Sequence, residues 1–73
     1  MQRRDALIQA RKASGLTQQQ LADKAEITRA FLANIERGVY EPSLKVAKAL
    51  SEALDRNIEE LFFNRNVRKT HTA

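Results

Sequence analysis

Residues 17–38, TQQQLADKAEITRAFLANIERG, read as two short helices joined by a tight turn, and the rest of the chain is arranged around them. The first helix opens on a capping box: Thr17 is placed to take the backbone amide of Gln20, and Gln20 to return the bond to Thr17. Its apolar positions Leu21, Ala22 and Ala25 share one face. Thr28 then caps the second helix. Winding that helix at about 100° per residue sets Phe31, Leu32 and Ile35 on one side and Arg29, Ala30, Ala33, Asn34 and Arg37 on the other. One side is built to pack, and the other is free to meet something else.

Upstream, residues 4–14 have helical spacing with Leu7, Ala10 and Arg11 on one face, and Gly15 follows as a left-handed stop. Downstream, Pro42 stiffens the stretch after Gly38 and keeps Glu41 out of helical geometry. Ser43 caps a fourth helix whose core stripe is Ala47, Leu50 and Leu54, with Leu44, Val46 and Ala53 on its flanks and Lys45, Lys48 and Glu52 facing water. Asn57 with Glu60 forms another capping box and opens a short helix that buries Ile58, Leu61 and Phe62. The expectation is an all-α, five-helix fold with no strand, a domain over residues 1–63 and a frayed basic tail over 64–73.

A chain of 73 residues is one domain near the size at which a single core barely suffices, and with no cysteine it has no disulfide staple. Packing or dimerisation must supply the stability. No apolar run approaches the roughly 18 residues that span a bilayer, and nothing reads as a signal peptide, so the expectation is a soluble cytoplasmic protein with no membrane partner. The net charge of +4 favours a polyanionic partner, but Arg65, Arg68 and Lys69 of the tail supply most of it. Net charge alone therefore says little about the first 63 residues.

The candidates for chemistry are poor. His71 is the single histidine and lies in the tail, where no base can be positioned. Glu59 and Glu60 are adjacent, so on a helix they point about 100° apart and form no acid–base pair. No phosphate-cradling glycine loop or metal-ligand spacing is present, and no catalytic residue, cofactor or metal is expected. An enzyme is thereby disfavoured.

Gly15-Leu-Thr-Gln, Leu21-Ala22, Ile35-Glu-Arg-Gly, Pro42-Ser-Leu and Leu61-Phe62, taken together over roughly residues 5 to 63, give a chain that resembles the helix-turn-helix of the phage repressor and Cro (XRE-like) type. Three departures accompany the resemblance. Glu26 stands in the turn where the family commonly has a glycine, and a glutamate held left-handed there costs about 1 kcal/mol. Asp55 also stands where glycine is common, with Arg56 in place of an apolar residue, and Ala10 is smaller than the family's usual choice.

The resemblance implies double-stranded DNA as partner, with the second helix of the motif in the major groove. An arginine can donate two parallel bonds to guanine, and an asparagine can pair with the adenine edge. Arg29, Ala30, Ala33 and Asn34 are thus the base-reading candidates. Contacts to the DNA backbone fall to Thr17 and Gln18 at a helix N-terminus that favours a phosphate, and to Arg37, Gly38, Tyr40 and Lys45 as a second clamp. Phe31 belongs either to the core or to the groove wall. Arg11 and Glu36, each at the margin of an apolar face, are expected to meet as a structural ion pair. Ile58, Phe62 and Phe63 are the candidates for a homodimer interface.

The expected function is a transcriptional regulator, a repressor that binds a palindromic operator as a dimer. The alternative is a modulator or antitoxin that turns the same scaffold toward a protein partner.

Overall fold

Helix starts follow the expected caps. The computed structural model describes residues 3–63 and contains, over that range, α1 (Asp5–Ala13), α2 (Gln18–Ala25), α3 (Arg29–Glu36), α4 (Leu44–Leu54) and α5 (Ile58–Phe62), with no strand. Thr17 Oγ1 accepts from the Gln20 amide at 3.0 Å while Gln20 Oε1 accepts from the Thr17 amide at 2.9 Å. Thr28 takes the Phe31 amide at 3.0 Å, Ser43 takes the Val46 amide at 3.2 Å, and the Asn57 amide donates to Glu60 Oε1 at 3.2 Å. Helix α1 is one residue shorter at each end than the spacing suggested: Arg4 is its N-cap and makes no side-chain cap bond. The expectation for residues 64–73 lies outside the described residues.

Four helix ends share one solution to their orphaned carbonyls. After α1, α2, α3 and α4 a residue turns left-handed, with φ of 75° at Gly15, 62° at Glu26, 82° at Gly38 and 57° at Asp55. The following amide then reaches back five residues: Leu16 to Arg11 O at 3.2 Å, Ile27 to Ala22 O at 2.9 Å, Val39 to Asn34 O at 2.9 Å, and Arg56 to Ser51 O at 3.0 Å. This is the Schellman closure, in which a left-handed residue lets two amides satisfy the last carbonyls. Two of the four positions hold glycine, which adopts the conformation freely, and two hold an acidic residue, which does not. The closure at those two ends therefore depends on the hydrogen bonds and, after α2, on the apolar residue that follows the turn. Ile27, packed against the core, plays that part after α2.

A measurable consequence follows at position 26. Glu26 is exposed and so has no packing to lose. Glu26→Gly is expected to stabilise the domain by about 1 kcal/mol by relieving the left-handed strain. In a domain of this size that raises Tm by roughly 4–8 °C in calorimetry. An unchanged or lower Tm would show that the turn carries no such strain.

The core joins all five helices. Leu7, Leu21, Leu32, Ile35 and Leu50 are wholly buried at its centre, and Ala10, Ala22, Ala25, Ala47, Leu54, Leu61 and Phe62 surround them. Helix α2 packs against α3 and α4, while α5 packs against α1 and α4 and closes the other side. The expected stripe of α4 is buried as read, with Val46 and Ala53 half-buried beside it. Leu44 differs: as the first residue of α4 it is 75 % exposed, so that end of the apolar face is uncovered. Ser51 is buried on the same helix, where its hydroxyl donates to Lys48 O at 3.0 Å and so finds a partner inside its own turn.

Candidate nucleic-acid interface

The buried side of α3 is Leu32, Ile35 and Glu36, and this fixes which residues remain outside. Arg29, Ala30 and Arg37 are exposed, while Ala33 and Asn34 are half-buried along the same flank. Arg29, Ala33 and Arg37 succeed one another at four-residue intervals, as do Ala30 and Asn34, so the surface is two adjacent ridges with small residues between longer ones. The Arg37 Nη1 donates to Asn34 Oδ1 at 3.1 Å. That bond orients the Asn34 amide and leaves both of its N–H donors free.

Glu36 lies one position beyond Ile35 and is 2 % exposed. Its Oε2 accepts from Arg11 Nε at 2.7 Å and its Oε1 from Arg11 Nη2 at 3.2 Å, while the Nη1 of the same arginine donates to Leu16 O at 3.0 Å. Both charges are almost wholly buried, and the fork geometry lets one guanidinium satisfy both carboxylate oxygens and a loop carbonyl. The pair ties α1 to the end of α3, which holds the exposed flank at one angle to the rest of the domain.

Gln18 has a partner within the protein. Its Nε2 donates to Glu36 Oε1 at 2.9 Å, so the side chain is half-buried and engaged with the ion pair. One Nε2 hydrogen and the carbonyl oxygen remain. As the first residue of α2 it also has a backbone amide with no intrahelical partner, and so does Gln19. Thr17, by contrast, commits its hydroxyl and its amide to Gln20.

On the other side of α3, Gly38 and Val39 close the helix, and Tyr40 is 48 % exposed with its ring centroid 5.8 Å from that of Phe31. Phe31 is half-buried and packed against the core, so it supports the fold while part of it stays accessible. Lys45 is exposed in the first turn of α4.

The three dimer candidates separate. Phe63 is 57 % exposed and Ile58 is half-buried. Phe62 is a correction: at 9 % exposure it belongs to the domain's own core, with the Arg4 guanidinium 5.5 Å from its ring centre, so it offers almost nothing to a partner. Consecutive residues of a helix point about 100° apart, and one of the two phenylalanines had to face inward. The residue that sequence reasoning missed is Arg4, whose contacts lie 32 to 58 positions away and leave no local signature.

Comparison with known proteins gives the family. The chain belongs to the helix-turn-helix family, whose model matches residues 7–61, a family of DNA-binding transcriptional regulators of the repressor and Cro type rather than of enzymes. It is 40 % identical over 60 residues to an HTH-type transcriptional regulator of Methanothermobacter thermautotrophicus, covering 81 % of this chain and 87 % of that one. It is 52 % identical over 44 residues to the immunity repressor protein of Bacillus phage phi105, covering 60 % of this chain and 31 % of the repressor. The phage repressor is thus much longer than the shared part. Among solved structures, the restriction-modification controller protein C.AhdI from Aeromonas hydrophila superposes with a TM-score of 0.74 at 37 % identity, covering 78 % of this chain and 86 % of that one. The clp gene regulator ClgR from C. glutamicum superposes at 0.71 with 27 % identity, covering 77 % and 73 %. In the helix-turn-helix so defined, α2 and α3 are the two helices and Glu26 to Thr28 the turn.

Proposed function

We propose that the protein is a sequence-specific double-stranded DNA-binding regulator of transcription that represses by occupying a palindromic operator as a homodimer in the cytoplasm. The observation that carries this reading is the two-sided α3. Its apolar and acidic side is sealed in the core, and the side left outside presents Arg29 and Asn34 separated by alanines. Such a helix enters the major groove, where long donors reach base edges and methyl groups allow close approach. In this reading Arg29, Ala30, Ala33 and Asn34 face bases.

The DNA backbone is held from both ends of the motif. The free amides at the start of α2, with Thr17 and Gln18 beside them, meet one phosphate. Arg37, Gly38, Tyr40, Phe31 and Lys45 meet the other strand, with the charge supplied by Arg37 and Lys45, because the amides of Gly38 to Tyr40 already donate to Ile35 O and Asn34 O. The bond from Gln18 to Glu36 supports a shared role, since it ties the first phosphate site to the end of the reading helix. Relatives named as an immunity repressor and as a controller protein agree with regulation by this kind of contact.

Two variants divide base reading from backbone holding. Arg29→Ala is expected to cost about 1–3 kcal/mol on a selected duplex and to relax the preference at one base pair of each half-site. Lys45→Ala is expected to weaken matched and mismatched duplexes by the same factor and to make the plot of log affinity against log salt shallower by about 0.9. Fluorescence anisotropy over a salt series reads both. Equal losses on matched and mismatched duplexes for Arg29→Ala would remove it from the reading face, and an absence of salt-dependent binding would favour a protein partner.

A further inference from the structure

We propose that Arg4 is a positioning residue for the phosphate clamp formed by the α3–α4 loop, an inference that rests on the reading of that loop as a backbone contact. Arg4 ties together four parts of the domain. Its backbone amide donates to Glu36 O at 2.8 Å, which anchors the start of α1 to the last turn of α3. Its guanidinium then passes over the Phe62 ring of α5 at 5.5 Å and delivers Nη2 to Tyr40 O at 3.3 Å and to the Glu41 carboxylate at 3.2 Å. The Arg4 side chain is only 15 % exposed, whereas that of Glu41 is 88 % exposed.

The loop needs such a hold. Its first part is closed by its own backbone, through Gly38 to Ile35 O at 3.1 Å and Val39 to Asn34 O at 2.9 Å. The bond from Tyr40 to the same carbonyl is already long at 3.4 Å. Pro42 has no amide to give. Among the described residues, the two bonds from Arg4 are the hydrogen-bonded ties on Tyr40 O and Glu41, between Arg37 and Lys45, the two cations of the proposed clamp. Arg4 Nε is buried and has no hydrogen-bond partner among the described residues, while the tip of the same side chain holds a loop carbonyl and a carboxylate.

Arg4 does not itself meet a phosphate in this account. It acts through the loop, so its loss should alter binding to every sequence equally and leave base preference intact.

The experiment combines amide hydrogen exchange with a salt series on wild type, Arg4→Met and Glu41→Gln, using one selected and one scrambled duplex. Arg4→Met keeps an unbranched stem over Phe62 and loses both loop bonds. Its Val39 and Tyr40 amides should exchange about tenfold faster while the amides of α2 keep wild-type protection. Its affinity for both duplexes should fall by a common factor of about ten, with a salt slope shallower by about one unit. Glu41→Gln leaves Arg4 and the core in place and should speed exchange at the same two amides to a lesser degree, with an unchanged Tm. That variant keeps the proposal testable if Arg4→Met unfolds. Unchanged exchange at Val39 and Tyr40 in both variants would overturn the proposal, as would faster exchange throughout Arg4→Met with none in Glu41→Gln. Lys45→Ala separates the two claims: if it lowers the slope and Arg4→Met does not, the positioning role alone fails. If neither changes the slope, the clamp itself is wrong and the positioning role falls with it.

Discussion

Arg11→Met is expected to lower Tm by more than about 12 °C. Removing the guanidinium leaves the Glu36 carboxylate 2 % exposed with a single remaining side-chain donor, the Gln18 amide. A buried charge deprived of its partner costs about 3–5 kcal/mol. A domain of this length has on the order of 4–11 kcal/mol in total, so about a quarter or more of it disappears. At roughly 4–8 °C per kcal/mol the shift follows. The double variant Arg11→Met with Glu36→Met should regain most of the loss, because two apolar side chains of similar length need no compensation. The cycle is read by thermal denaturation of the four proteins. A single variant melting within about 4 °C of wild type would mean that Glu36 finds water, and that the pair does not seal the end of α3.

Phe63→Glu should reduce affinity for a full palindrome by about a hundredfold while changing affinity for an isolated half-site little, and it should shift the free protein to monomer in sedimentation. The argument starts from how few base contacts one domain offers. Arg29 and Asn34 are the long reading side chains, with alanines between them, and this is too little to select one site among a genome's competitors. A two-fold axis doubles the contacts by repeating one patch on both partners. Phe63 is the exposed aromatic at the end of α5, and Ile58 at its start is half-buried. Glu59 and Glu60 are exposed on the same helix, so a further carboxylate at 63 would set like charges against each other across the axis. Tethering two sites is worth roughly 10²–10⁴ in affinity, and its loss appears only where both half-sites are present. Phe63 is 57 % exposed and lies outside the core cluster, so Tm in the monomer should move little. A Phe63→Glu protein that remains dimeric would place the axis elsewhere, with Leu44, Val39 and Tyr40 the remaining exposed apolar residues among those described.

The fold was legible because its signals are local. Thr17, Thr28 and Ser43 sit one residue before their helices, and the apolar residues behind them recur at helical spacing, so helix starts and the core stripes of α2 and α4 follow from neighbours in sequence. Helix ends were half legible. Gly15 and Gly38 announce their left-handed turns, whereas Glu26 and Asp55 adopt the same geometry only because the rest of the closure forces it, and the resemblance to a family was needed to suspect them. What lay beyond local signals was the choice among long-range partners. The contacts of Arg4 with Tyr40 and Phe62, the engagement of Gln18 by Glu36, and the inward turn of Phe62 depend on how five helices meet. For the interface the residue types were readable and their availability was not. Arg29 is as free as its position on the helix suggested, while Gln18 and Asn34 already hold protein partners.

The central claim is that α3 reads duplex DNA in a symmetric pair of major grooves. Selection of bound duplexes from a random pool at about 0.15 M salt, followed by sequencing, tests it directly. The expected result is enrichment of two short half-sites related by a two-fold axis, with their centres about 10 base pairs, or roughly 34 Å, apart. Recovery of unrelated sequences with no half-site and no dyad would contradict it.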